Sequence, residues 1–244
     1  MESEKRPGGQ RDTGRGTAPR KAVFLDRDGT MNTEVNYLHN PGDLELIPGT
    51  AEAVKLLNEA GFAVIVVTNQ AGVARGYYTE ADVEALHNYM NNLLKESGAA
   101  VDAFYYCPHH PEHGIGRYKM TCRCRKPGTG MFEAAARELP GGIDRENSWM
   151  IGDKLIDTEA GHNFGIRSIL VGTGYGSKIR KEQEAAGKLT PDGRCTAAAM
   201  TIMLPIFLRR PALSLRASVS VNSNKYGTGG SKRCSLETEY LQQY

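Results

Sequence analysis

The sequence has no apolar stretch approaching the roughly 18 to 20 residues that a membrane-spanning helix needs, which argues against a membrane protein. Its first twenty residues are basic and polar with no apolar core, so they do not read as a secretory signal. No sign of charge dominates: 30 Lys and Arg stand against 28 Asp and Glu, a net charge of +2 with a pI near 8.2. That balance gives no electrostatic case for nucleic acid. Cysteine is sparse, five in 244 residues, and three of the five cluster at Cys107, Cys122 and Cys124. Without an export signal the clustering favours metal ligands or free thiols over disulfides. No internal repeat is visible, and the default location is the cytoplasm.

The length fits one large domain or one domain with tails. Residues 1–20, rich in Gly, Arg and Pro, read as a disordered extension, 21–190 as the folded domain and 191–244 as an atypical, largely disordered tail. Within the domain, apolar runs at 21–25, 63–67, 101–106, 148–151 and 167–171 read as strands. The second, Ala-Val-Ile-Val-Val, suits a central parallel strand buried on both faces. Helical patterns fall between them. Residues 50–60 follow Pro48-Gly49, a helix from Thr79 to Gly98 carries Asp82 placed as in a capping box, and further helices are expected near 129–139, 156–164 and 178–188. Residues 31–47 read as a loop or small hairpin, and 197–208 as a short strand or packed segment. Strands alternating with helices predict an α/β fold, a three-layer α/β/α Rossmann-like parallel sheet.

In such a sheet, ligands gather at the carboxyl ends of the strands. Asp26 and Asp28 follow the first strand, Thr68 and Asn69 the second, and Lys126 opens the helix after the third. Asp153, Lys154 and, a turn later, Asp157 follow the fourth. Clustered carboxylates need a hard divalent cation, and Mg2+ prefers oxygen ligands. With lysine and a hydroxyl they supply what a transferring phosphoryl group demands. One carboxylate can attack phosphorus while another moves the proton. Separately, Cys107, Cys122 and Cys124 plus one imidazole make a closed tetrahedral Zn2+ set of the structural kind. His109 is the favoured fourth ligand, with His110 and His113 as alternatives that spacing does not separate.

Four segments together resemble the haloacid dehalogenase-like phosphatases: Asp26-Arg27-Asp28-Gly29-Thr30, Thr68, Lys126, and Gly152-Asp153 with Asp157. The Cys-x-His…Cys-x-Cys loop before Arg125-Lys126-Pro127 is similar to that of one branch, the histidinol-phosphate and heptose-bisphosphate phosphatases, over about residues 21–176. The resemblance implies a domain with a zinc loop and no large cap. It makes Asp26 the nucleophile and Asp28 the general acid/base, with Thr68 and Lys126 holding the phosphoryl group. Mg2+ would sit on Asp26, the Asp28 carbonyl and Asp153, with the part of Asp157 open between a water-mediated ligand and an orienter of Lys154. Substrate contacts map onto Asp26, Arg27, Asp28, Glu34, Val35, Asn36, Tyr37, Thr68, Asn69, Gln70, Ala71, Arg125, Lys126 and Lys154.

The implied activity is Mg2+-dependent removal of the 7-phosphate from a heptose 1,7-bisphosphate through an aspartyl-phosphate, on the path to nucleotide-activated heptose. Histidinol-phosphate hydrolysis and a catalytically silent binding module are the alternatives. The implied partner is a small sugar phosphate, with no nucleic acid or membrane, for a monomeric enzyme. The segment 194–244 departs from the family pattern of a last strand followed by a helix.

Overall fold

The computed structural model describes residues 18–188 and the backbone of 201–204. Six parallel strands form one sheet in the order β3-β2-β1-β4-β5-β6. They are β1 (Ala22–Leu25), β2 (Ala63–Asn69), β3 (Ala103–Cys107), β4 (Trp149–Gly152), β5 (Arg167–Val171) and β6 (Thr201–Leu204). The helices are α1 (Thr50–Glu59), α2 (Ala71–Ala74), α3 (Glu80–Glu96), α4 (Gly130–Glu138), α5 (Leu155–Phe164) and α6 (Gly176–Ala185). The short α2 was not expected. No helix among the described residues is long and apolar enough to cross a membrane.

The two-residue period of the strands divides the core. Ala22 and Phe24 of β1 join Ala63, Ile65 and Val67 of β2 on one face, packed against Phe132 of α4 and Phe164 of α5. Val23 and Leu25 join Val64 and Val66 on the other, packed against Val54 of α1 and Met90 and Leu94 of α3. The Phe24 ring lies 4.7 Å from that of Phe132 and 5.9 Å from that of Phe164. The expected capping box is present: Thr79 Oγ1 accepts from Asp82 N at 3.2 Å, and Thr79 N donates to Asp82 Oδ2 at 2.7 Å.

Main-chain pairing defines both ends of the described domain. Arg20 N donates to Gly142 O at 3.0 Å and Asp144 N to Arg20 O at 2.9 Å, so main-chain pairing already includes Arg20. β6 lies within the segment 197–208 read as a short strand or packed segment; it pairs with β5 from Ser168↔Thr201 to Val171↔Leu204 and removes β5 from an exposed edge. The remainder of the expected tails, 1–17 and most of 191–244, lies outside the described residues.

Phe24 contributes at the centre of the larger core, so Phe24→Ala is expected to cost about 3–5 kcal/mol of stability, read from urea unfolding. A loss under about 1 kcal/mol would contradict this packing.

Candidate active site

The strand order reverses between β1 and β4, which opens a crevice at their carboxyl ends. Asp26 follows β1 and Asp153 follows β4. Asp26 N donates to Ile151 O at 2.9 Å, extending the ladder one residue and fixing where the Asp26 side chain starts. Asp26, Lys126, Asp153 and Asp157 are all buried. Lys126 Nζ lies 2.8 Å from Asp26 Oδ1 and 2.7 Å from Asp157 Oδ1, and donates to Val67 O at 2.7 Å. Burial works against the ammonium, but the Asp157 and Asp26 carboxylates outweigh it and hold its pKa above the ordinary value. Burial likewise pushes the Asp157 carboxyl up while Lys126 pulls it down. At 2.7 Å the two form an ion pair, because either charge left alone there would cost several kcal/mol.

The other Asp157 oxygen, Oδ2, accepts from Lys154 N at 2.9 Å and caps α5. Asp157 therefore anchors Lys126 with one oxygen and a helix start with the other. Its bond to Lys154 is through the backbone; the Lys154 ammonium instead pairs with Glu34 Oε2 at 2.9 Å.

Asp153 is the uncompensated member. Its Oδ2 accepts from Tyr175 N at 2.8 Å, while its buried Oδ1 has no hydrogen-bond partner and lies 3.7 Å from Lys154 Nζ. Burial pushes its pKa up to about 7, against the pull of Lys154 and the Tyr175 amide. Two glycines with positive φ make room for it: a Cβ on Gly29 (φ 82°) or Gly174 (φ 51°) would collide with the Asp153 carboxylate. Carboxylate oxygens of Asp26, Asp153 and Asp157 lie within 4.8 Å of one another. A buried acidic trio with an orphaned oxygen, faced closely by Lys126 and more distantly by Lys154, fits an oxygen-seeking divalent cation.

The Asp28 carboxylate turns to a different set of partners. Arg27 Nε and Nη2 reach its two oxygens at 3.1 and 2.9 Å, Asn32 Nδ2 donates to Oδ1 at 3.1 Å and Gln70 Nε2 to Oδ2 at 3.1 Å. Burial raises the Asp28 pKa, but Arg27 and these bonds outweigh it and lower it overall. Arg27 was expected to touch substrate, yet its guanidinium is fully buried. Besides Asp28 it contacts His87 Nε2 at 3.3 Å, Leu38 O at 3.2 Å and Gln70 Oε1 at 3.2 Å, which leaves the side chain facing inward. Gln70 Oε1 also accepts from Tyr78 at 2.7 Å, and its Nε2 donates to Thr68 Oγ1 at 2.9 Å. Asn69 braces the backbone of Lys126, accepting from its N–H at 3.0 Å and donating to its carbonyl at 3.1 Å. Glu34, Val35, Asn36 and Tyr37 lie at the rim, where Glu34, Thr33, Ile47, Thr173, Gly174 and Tyr175 line a cavity of about 460 Å3.

His87 and Tyr78 were not read from the sequence as part of this network. His87 sits four residues after Val83 and three before Met90, on the buried face of α3, and that periodicity marks its position.

In the cysteine loop, one donor atom each from Cys107, His109, Cys122 and Cys124 lie within 4.8 Å of one another. This selects His109; His110 Nδ1 instead accepts from the amides of Glu112 and His113. Cys107 and Cys124 sulfurs each lie 3.8 Å from His109 Nδ1. Where metal ligands or free thiols were expected over disulfides, the Cys122 and Cys124 sulfurs meet each other directly. The Cys-x-Cys turn brings the two sulfurs together, so they meet either in a bond or on a shared cation. The donor set itself fits Zn2+ once that pair is reduced.

Comparison with known proteins agrees with this geometry. A family model described as HAD-hydrolase-like matches residues 123–193. The chain is 44% identical over 168 residues to D-glycero-beta-D-manno-heptose-1,7-bisphosphate 7-phosphatase of Haemophilus ducreyi, covering 68% of this chain and 91% of that protein. It is 47% identical over 165 residues to a similarly named protein of Thermosynechococcus vestitus, covering 66% and 83%. The chain belongs to the haloacid dehalogenase-like phosphatases, in the heptose-bisphosphate branch. Among solved structures, the D,D-heptose 1,7-bisphosphate phosphatase of B. bronchiseptica, complexed with magnesium and phosphate, superposes with a TM-score of 0.61 at 32% identity. That match covers 75% of this chain and 92% of the other.

Burial lowers the His87 pKa to about 3, helped by Arg27 and opposed by Asp28. The unfolded chain therefore takes up this proton first, near pH 6.5, and the stability His87 preserves at neutral pH is lost as pH falls towards 3. Relative to His87→Gln, which keeps an acceptor for Arg27, the native protein should lose about 2 kcal/mol more between pH 7 and 5. Equal slopes in the two denaturation series would contradict a buried neutral imidazole.

Proposed function

We propose that the protein is a Mg2+-dependent phosphatase that removes the 7-phosphate of D-glycero-D-manno-heptose 1,7-bisphosphate. The observation that carries the chemistry is the division of labour between two aspartates two residues apart. Asp26 faces the Lys126 ammonium and the acidic trio, where a phosphoryl group and its cation belong. Asp28 faces Arg27, Asn32 and Gln70 and takes no part in that trio. The substrate assignment rests on the relatives named above.

In this reading Asp26, Asp153 and the Asp28 carbonyl hold Mg2+, which when bound neutralises the carboxylates and the phosphoryl oxygens. Lys126 and the Thr68 hydroxyl draw the phosphoryl group against Asp26. An Asp26 oxygen attacks phosphorus, the bond to the sugar oxygen breaks, and Asp28 delivers the proton that oxygen needs to leave. The dianionic phosphate arriving beside Asp28 favours its protonated form, offsetting the pull of Arg27. Asp28 then takes a proton from water as that water splits the aspartyl-phosphate. Asn69 contributes by holding the Lys126 backbone, and Asp157 by holding its ammonium.

The Cys107, His109, Cys122 and Cys124 set holds structural Zn2+ in this reading and pins a loop that has few apolar residues of its own. That loop ends at Arg125 and Lys126, so the metal orders the approach to the catalytic lysine.

Purified protein with Mg2+ is expected to release phosphate from heptose 1,7-bisphosphate at least about 100-fold more efficiently than from histidinol phosphate, in kcat/KM. The reverse order would sink the substrate assignment. Metal analysis of protein purified under reducing conditions is expected to find about one zinc per chain; protein that folds and turns over with no zinc, its Cys122–Cys124 bond intact, would remove the zinc site.

A further inference from the structure

Most cations around the crevice already have a carboxylate. Arg27 is paired with Asp28 at 2.9 Å, Lys126 with Asp26 and Asp157, and Lys154 with Glu34 at 2.9 Å. Two arginines, Arg125 beside Lys126 and Arg75 at the end of α2, do not. Arg125, next to Lys126, donates from Nη1 to the His109 carbonyl at 3.2 Å and has no acidic partner among the described residues. Arg75 has none either, and its Nε is shut off from solvent without a hydrogen-bond partner. Its guanidinium carbon lies 6.0 Å from the centroid of the Tyr37 ring, at the rim that carries Glu34 to Tyr37.

The two arginines come from different elements that are joined by backbone. Arg75 follows α2, the short helix that starts just beyond Thr68-Asn69-Gln70. Ile115 N of the cysteine loop donates to Ala74 O at 2.8 Å, which seats the loop bearing Arg125 on the end of α2. A partly buried guanidinium with no carboxylate beside it is costly, and a buried orphaned donor adds to the cost. An anion with several oxygens relieves both, since each planar guanidinium can grip two phosphate oxygens.

We infer that Arg75, unassigned until now, is a specificity-determining residue that joins Arg125 in gripping the second, non-reacting phosphate of the substrate, with the Tyr37 ring as its wall. The inference rests on the proposed bisphosphatase reading and deepens it. It also gives Lys154 a different part: already neutralised by Glu34, it is left to face the sugar and the reacting end.

The test compares two substrates, the heptose 1,7-bisphosphate and a sugar monophosphate carrying only the reacting ester, in the native protein, Arg75→Met, Arg75→Lys and Arg125→Met. The readout is the ratio of kcat/KM for bisphosphate over monophosphate. Losing one charged contact to a phosphate should lower that ratio about 10- to 100-fold in Arg75→Met, chiefly through KM for the bisphosphate. Arg75→Lys, which keeps the charge but not the fork, should recover part of it. A second loss in the Arg75/Arg125 double variant smaller than the product of the single losses is expected for a shared ligand. An Arg75→Met ratio within twofold of the native one overturns the inference, as does an equal fall on both substrates, which is what a merely structural arginine would give. A native protein that does not prefer the bisphosphate at all would instead overturn the bisphosphatase reading, and the two failures are told apart by the native ratio alone.

Discussion

The buried contact of Lys126 with Asp26 and Asp157 is the constraint on which the rest of the site depends. Three carboxylates at one end of a sheet repel each other, and Lys126, with Lys154 farther off and shared with Glu34, compensates only part of that charge. The topology accepts the cost because β1 and β4 diverge there and nowhere else in the sheet. Several unrelated features serve to place this one amine. Asp157 caps α5 while it pairs with Lys126, the Val67 carbonyl at the end of β2 accepts from the amine, and Asn69 clamps the Lys126 main chain. The least satisfied of the three is Asp153, whose buried oxygen without a hydrogen-bond partner marks where a divalent cation would be welcome.

The two aspartates of Asp26-Arg27-Asp28 differ because of the residue between them. Arg27 turns inward and meets His87, Leu38 and Gln70, and from there it clamps Asp28 from behind. Asp26 is left to the lysine. A buried arginine of this kind carries a heavy desolvation cost, and a full set of acceptors is what makes it tolerable. His87 belongs to that set only while neutral, which is why a distant helix residue bears on the proton-handling carboxylate.

Much of the fold and site was legible because chemistry-bearing residues stood directly after β-branched runs. Asp26 and Asp153 each follow a strand and Thr68 lies among the last residues of another, and the strand-end rule places them together without knowledge of the sheet order. The gathering of three thiols was legible from spacing, whereas the choice of His109 over His110 and His113 depended on which ring the loop turns inward. The direction of Arg27 was not legible, because sequence gives no sign that an arginine beside two carboxylates will be fully buried. Asn69 and Gln70, read as substrate contacts, also brace the Lys126 backbone and the Asp28 carboxylate, a part that only side-chain direction shows. Arg75 was passed over for the same reason: its meaning comes from the missing counter-charge around it.

The central claim is that Asp26 is the group that attacks phosphorus. Rapid mixing with substrate, quenching with borohydride and peptide mass spectrometry would read it directly, since an aspartyl-phosphate is reduced to homoserine where it formed. Homoserine is expected at position 26 in the native protein and none in Asp26→Asn. Turnover with no reduced residue at position 26, or with the label at Asp28 or Asp153, would contradict it.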